Sequence, residues 1–307
     1  MSHTATSSTS GADRGGPARL LALATSGAWC SVALLHEQGG AIDTDCVAER
    51  FGNEQSQHIL GMVRQLLRDA GWRLSDLDAI AFDAGPGAFT GLRIGCAVAQ
   101  GLGFALGCPL LPIGTLEALA WQCTRGMAEP ALVLVANDAR MGELYAGVYR
   151  TQPSGAGALP QIMALVDPQL VTRATATAEL QAMLQTARLV AGNDVDASAG
   201  ASADAAATSA AAALPLLLAG DAWQQTALWP DWQHAAAPGI LAQADASDTE
   251  SPGLRADAIV ELAHARWRSG AGIDADQAAP FYVRDKVALD VGEQQALRAA
   301  RPVGDAR

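Results

Sequence analysis

Three short apolar runs, at 19–24, 29–36 and 41–49, open the patterned part of the chain, and Ser26-Gly27 and Gly39-Gly40 separate them. Runs of this length between turn-forming residues predict an antiparallel meander. The period then changes. Ile59, Leu60, Val63, Leu66, Leu67 and Ala70 recur at steps of three and four, which predicts a helix through "SQHILGMVRQLLRDAG" closed by Gly71. Strands at 78–84 and 109–113 follow, alternating with helices at 90–107 and 115–125 for which Thr90 and Thr115 are the expected N-caps. The order β-β-β-α-β-α-β-α specifies an α/β fold in which helices cover both faces of a mixed sheet.

This order resembles the ribonuclease H-like unit that the actin and sugar-kinase (ASKHA) superfamily uses twice. A second unit is expected from about Ala131. "ALVLVAND" and "GELYAGVYR" read as strands around the turn "DARMG", and a strand near 161–166, a helix near 177–188 and a strand at 214–220 come next. A helix at 254–268 closes the pattern. The expected organisation is a flexible lead at 1–18, a first lobe at 19–126, a second actin-like lobe at 127–290 and a loose tail at 291–307. The second lobe carries a solvated alanine, serine and aspartate insertion at 193–213, which has almost no large apolar residue.

Within the helix at 90–107, Gly91, Gly95, Ala99, Gly103 and Gly107 fall four residues apart, so small side chains form one row along the helix. Each interior glycine costs about 1 kcal/mol relative to alanine. Close approach of a neighbouring backbone would compensate. That neighbour can lie in the same domain or be a partner subunit's helix, and the pattern admits both.

Charge narrows the function. The net charge is −12, and Lys286 is the only lysine, so the chain lacks the cation density of a high-affinity nucleic-acid footprint. Any nucleic-acid role is expected to be indirect. The five cysteines, at 30, 46, 96, 108 and 123, include no C-x-x-C, and the five histidines are scattered. Core thiols in a reducing, cytoplasmic compartment are therefore expected, with no metal site. Arg14 and Arg19 before "LLALATSGAWCSVALL" imitate a signal peptide, but Trp29 stands where a cleavage site before Cys30 would need a small residue. The uncharged run from Ile94 to Leu116 is long enough to cross a bilayer, yet turn signals at 107–109 divide it into helix and strand.

The stretch "AFDAGPGAFTGLRIG" runs a strand into a glycine turn and a helix, a layout that can cradle phosphate. The expected companions of a phosphate site are missing, because no G-x-x-x-x-G-K-[ST] is present and no lysine lies near the turn. Residues 87–91 lack the serine of a nucleophile elbow. Asp83 can be read as a general base, or as a solvated or capping loop carboxylate. Asp138, Arg140 and Glu143 can form a turn and ion-pair network or a catalytic cluster. The network reading, and for Asp83 the solvated or capping reading, are preferred, so no catalytic, cofactor or metal residue is assigned.

"GPGAFTGLRIG" (85–95), "DARMGELY" (138–145), the N-terminal "LLALATSGAWCSVALL" and "APFYVR" (279–284) together resemble the TsaB (YeaZ) family of bacterial threonylcarbamoyladenosine synthesis. The family-motif positions are Gly85, Pro86, Gly87, Phe89, Thr90, Asp138, Arg140, Gly142 and Glu143. The resemblance implies a two-lobed actin-like fold with degenerate nucleotide loops. It further implies a noncatalytic partner of TsaD, the subunit that transfers threonylcarbamoyl to N6 of the adenosine beside the tRNA anticodon. TsaE, an ATPase, joins that pair; tRNA is contacted mainly indirectly, no membrane is involved, and a homodimer is possible for the free chain. Carried over, the partner surface involves His58, Leu60 and Met62 on one helix and Gly91, Arg93, Gly95 and Ala99 on the next. Two departures stand out: Ala24 replaces the family's usual aspartate, and Gly61 stands where a proline is usual. The competing readings are an ATP-dependent actin-like phosphotransferase or ATPase, and a peptidase, for which "SQHILGMV" offers the single histidine His58.

Overall fold

The computed structural model describes residues 17–52, 54–152, 159–196, 214–224 and 253–284. The meander forms β1 (Ala18–Ala24), β2 (Trp29–Gln38) and β3 (Ala41–Arg50), all antiparallel. Helix α1 (Gln55–Asp69) leads to β4 (Ala79–Gly85), helix α2 (Phe89–Leu106) to β5 (Leu110–Gly114), and α3 (Thr115–Thr124) ends the unit. β4 pairs parallel to β1 and β5 parallel to β4, giving the order β3-β2-β1-β4-β5.

The second sheet repeats the plan. β6 (Ala131–Arg140), β7 (Glu143–Gln152) and β8 (Gln161–Thr172) are antiparallel, α4 (Ala176–Asp196) crosses over, and β9 (Leu216–Ala219) returns parallel to β6. The order is β8-β7-β6-β9. β8 runs six residues past the expected end of its strand, and α4 runs through residues 193–196 of the expected insertion. The rest of that insertion, residues 1–16 of the expected lead and the tail at 291–307 lie outside the described residues.

Strand periodicity decides which face each residue serves. Leu21, Leu23, Val32, Leu34, Ile80 and Phe82 face α1 and α2 on one side of the first sheet. Leu20, Ala22, Leu35, Ala81, Leu111 and Ile113 face the opposite way. Helix α5 (Ala256–Arg268) covers that second face with Ile259 and Leu262, while Ala118 and Trp121 of α3 share the same core. The expected boundary of the second lobe is thereby corrected, since residues 256–284 return to the first sheet. Helical spacing marks α5 as amphipathic but does not say which sheet it joins.

From its other side, α3 turns Leu116, Leu119 and Ala120 onto Val133, Val135 and Leu217 of the second sheet. α4 covers that sheet's far face with Leu180, Met183 and Leu184. α3 therefore belongs to the cores of both lobes. Within the first lobe, His264 Nε2 lies 2.6 Å from Glu37 Oε2, and Arg268 pairs with the same carboxylate, pinning α5 to β2. These contacts hold the Glu37 carboxyl below the usual glutamate range against the opposing effect of its desolvation.

Both expected N-caps are displaced. Ala88 and Gly114 occupy the cap positions of α2 and α3, neither with a side-chain cap bond. Thr90 sits inside the first turn of α2, and the buried hydroxyl of Thr115 has no hydrogen-bond partner among the described residues. The apolar run from Ile94 divides as expected into helix and strand. Although α2 is long and apolar enough to cross a membrane, it packs on the first sheet and ends in a left-handed Gly107.

Candidate cleft site

The parallel strands of both sheets end at one cleft, a cavity of about 1070 Å³ reached by Ala24, Pro86, Thr115, Asn137 and Gly220. In open α/β sheets this strand-end crevice is where ligands bind. Its first-lobe wall is the turn between β1 and β2. Thr25 N–H donates to Asp83 Oδ2 at 3.1 Å, and Ser26 N–H donates to the same oxygen at 2.7 Å. Asp83 is fully buried and ends the apolar run of β4, so it is neither solvated nor on a loop, and its capping role joins two elements rather than one. Burial pushes its carboxyl up to about 6, against the lowering pull of the bonds from Ser26 and Thr25. Gln55 of α1 donates from Nε2 to Gly27 O at 2.6 Å and fixes the turn from the other side.

The small-residue row of α2 packs on this same turn. A Cβ at Gly91 would collide with the Thr25 carbonyl, and one at Gly95 would lie 2.5 Å from Thr25 Oγ1. Gly103 faces Leu110 and Ala275, and Ala99 is fully buried. The compensating neighbours of these glycines thus lie within the chain itself, the Thr25 backbone at Gly91 and side chains of Thr25, Leu110 and Ala275 at Gly95 and Gly103. Gly91, Gly95 and Ala99 are not available to a partner in this arrangement, which corrects their expected role, and Met62 likewise lies in the first-lobe core. His58 stacks on Phe51 with ring centroids 4.0 Å apart and an interplanar angle of 3°.

Three distant motifs meet at the rim of the cleft. In the first, the Gly85–Pro86 peptide is cis, and Phe281 N–H donates to Ala84 O at 2.6 Å, so the 279–284 segment lies across the glycine turn. A side chain at Gly85 would meet the Phe281 carbonyl 2.5 Å away, and its φ of 113° also favours glycine. Arg93 sits with its guanidinium carbon 3.8 Å from the Phe89 ring centroid and donates from Nε to the Tyr282 hydroxyl at 3.1 Å.

In the second lobe, Asp138 accepts from the Arg140 amide at 2.8 Å and pairs with Arg173 at 2.9 Å. Arg284 reaches over from the first lobe to Glu143 and to the Ala139 carbonyl at 3.1 Å. Asp138 and Glu143 therefore sit in ion pairs, but in separate ones, whose arginines Arg173 and Arg284 come from elsewhere in the chain. Arg140, Met141 and Gly142 take φ values of 62°, 57° and 77°, three left-handed residues in succession. The sequence reading missed Arg284, Tyr282 and the buried tie of Asp83. The closing "APFYVR" was the available signal for the first two, while Asp83 was masked by its apolar strand. Among the described residues no group of three or more His, Cys, Asp or Glu could hold a metal ion, and all five cysteines are free.

Two crossover-linked sheets with their parallel strand ends on a shared cleft define the actin-like class. A family model for TsaD, tRNA N6-adenosine threonylcarbamoyltransferase, matches residues 47–289. The structure of YeaZ from Pseudomonas aeruginosa is 33% identical with a TM-score of 0.60, covering 86% of this chain and 99% of that one. The TsaB protein of Escherichia coli K12 is 37% identical over 153 residues, 50% of this chain and 64% of the relative. That of Haemophilus influenzae is 42% identical over 126 residues, 41% of this chain and 51% of the relative. The matched stretches thus span between half and two thirds of these curated relatives. The chain belongs to the family of that model and, within it, to the TsaB (YeaZ) branch.

Proposed function

We propose that this protein is a noncatalytic subunit in the synthesis of N6-threonylcarbamoyladenosine beside the tRNA anticodon, acting in the cytoplasm through pairing with a TsaD-type transferase. The observation that carries the noncatalytic reading is the tie of Asp83 to the amides of Thr25 and Ser26. In an actin-like cleft, those amides are the groups that would meet a phosphate. Here the chain's own buried carboxylate holds them, and like charge opposes a second anion. A TsaE-type ATPase would supply the nucleotide chemistry that this cleft lacks.

The pairing surface is the face of α1 and α2 turned away from the sheet. Leu60 and Phe104 are exposed there, Phe104 by 66%, and Ala97, Gly101 and Ala105 form a second small-residue row beside them. Added Cβ atoms at Gly61 and Gly101 would meet open space, in contrast to Gly91 and Gly95. Helices approach closely along such rows. The same face suits a homodimer of the free chain, and the Leu60 part of the expected surface is retained in this reading. His58 is half-buried at its margin.

Replacing Gly101 with Trp and Phe104 with Asp should leave the monomer's melting temperature within a few degrees of the parent and abolish co-elution with the transferase. Removing anchors of this kind typically weakens an interface by about 30-fold or more. Retained co-elution on gel filtration would reject the surface. The isolated chain is expected to show no ATP turnover; steady hydrolysis that Asp83→Ala leaves intact would instead favour the actin-like ATPase reading.

A further inference from the structure

The rim of the cleft has a composition that neither the fold nor the pairing surface uses. Arg140 stands at the hairpin tip with its side chain 86% exposed, and among the described residues its one ion-pair contact is a 3.5 Å approach to Asp138. Asp138 is itself already paired with Arg173, and Glu143 with Arg284. Asp138 and Glu143 are therefore engaged by other arginines, and Asp221, whose Oδ1 accepts the Asp138 amide at 2.7 Å, is the further carboxylate in the field of the exposed Arg140. At the other end, the Arg93 guanidinium lies over the Phe89 ring and is tied to the Tyr282 hydroxyl. On the same rim Phe281 is 51% exposed, while Tyr282, 40% exposed, rests one side of its ring on Phe89 at a centroid distance of 5.5 Å. The segment is continuous, because Arg284 touches Met141 Sδ at 3.5 Å.

Three consecutive left-handed residues, two of them with side chains, cost conformational energy that a plain hairpin would avoid. Here that backbone delivers Arg140 to the rim. Guanidinium forks suit phosphate oxygens, and open aromatic faces suit unstacked bases; the two together are the recurring means of gripping single-stranded RNA. On a chain of net charge −12, an outward cationic and aromatic rim stands against the general field. An acidic peptide would use the forks but has no need of the rings.

We propose that the rim formed by Arg93, Arg140, Phe281 and Tyr282 directly contacts an unpaired stretch of the tRNA, adding a phosphate and base grip to the complex. This rests on the tRNA-modification reading above. The number of forks is small, so the contact supplements the affinity of a partner and does not replace it.

The test uses unmodified tRNA carrying a fluorophore, with anisotropy measured across salt concentrations for the isolated chain and for its complex with the transferase. Arg140→Ala should lower the slope of log affinity against log salt by about 0.7, the value of one single-strand phosphate contact. Arg140→Lys should retain most of that slope. Phe281→Ala should weaken binding by about fivefold or more without changing the slope. Both residues are exposed, so thermal melts should match the parent.

Unchanged tRNA affinity and salt slope in both variants would overturn the proposal. So would a loss of affinity that tracks weakened association with the transferase on gel filtration, since the rim would then dock a protein. If the parent chain forms no complex with the transferase, the subunit reading fails on its own, and the isolated-chain titration still decides the rim. In that case absence of any tRNA binding overturns the contact, and a loss confined to the variants supports it.

Discussion

Gly91→Ala should destabilise the protein by about 2–4 kcal/mol, whereas Gly101→Ala in the same helix should stabilise it by about 1 kcal/mol. On helix propensity alone both changes are favourable by the same amount. The difference lies in what the new methyl group meets. At Gly91 it collides with the carbonyl of Thr25, a backbone group that the tie to Asp83 and the Thr25 hydroxyl bond to the Gly91 carbonyl at 2.8 Å prevent from moving aside. At Gly101 it meets nothing within 4 Å. For a chain of this size each kcal/mol moves the melting temperature by about 2–4 °C, so calorimetry should separate the two variants by about 6 °C or more. Equal upward shifts would mean that the β1–β2 turn does not press on α2.

Asp83→Ala is the second large effect. It strips the buried Thr25 amide and the half-buried Ser26 amide of their acceptor, at up to about 1–3 kcal/mol each, so a loss of roughly 3 kcal/mol is expected at pH 7.5 by urea unfolding. The size of the loss should also depend on pH. With the native carboxyl raised to about 6, the folded chain holds a proton between about pH 4 and 6 that the unfolded chain has released. The carboxyl's contribution is therefore fully present below the unfolded value and is lost as pH rises through 6. The deficit of the alanine variant should accordingly be larger at pH 4.5 than at pH 7.5, by about 1–3 kcal/mol. A deficit that stays level or grows with pH would show that Asp83 is ionised throughout and that burial does not dominate its titration.

Local pattern carried most of the architecture. β1 and β4 lie inside their sheet with both faces covered, so they read as unbroken apolar runs, and the meander, the crossovers and the division of the run at 107–109 followed from spacing and turn residues alone. The site was less legible because its ties join residues far apart in the chain. Asp83 meets Thr25 across 58 positions and Arg284 meets Glu143 across 141, and neither distance leaves a trace in a periodic pattern. The glycine row shows the same limit from another side. Its spacing required close packing, but spacing cannot name the surface that approaches, and the β1–β2 turn had the prior claim. Met62 and Leu60 are two residues apart on one helix and fall on opposite sides of it, Met62 into the core and Leu60 out. Thr115 misled for a simpler reason, since the extended Gly114 could take the cap position and leave the threonine one step inside.

Helix α5 is the last helix among the described residues yet covers a face of the first sheet, with a bearing on synthesis at the ribosome. Once α3 has emerged, Leu20, Ala22, Leu35 and Leu111 must wait for about 140 further residues, roughly 10–30 s at ordinary elongation speed, before Ile259 and Leu262 arrive. During that interval the nascent chain carries a finished five-stranded sheet, one greasy face of it covered only in part by α3, into a crowded cell. Shielding of that face during synthesis should therefore raise the soluble yield of this protein, which expression with and without a ribosome-associated chaperone would measure.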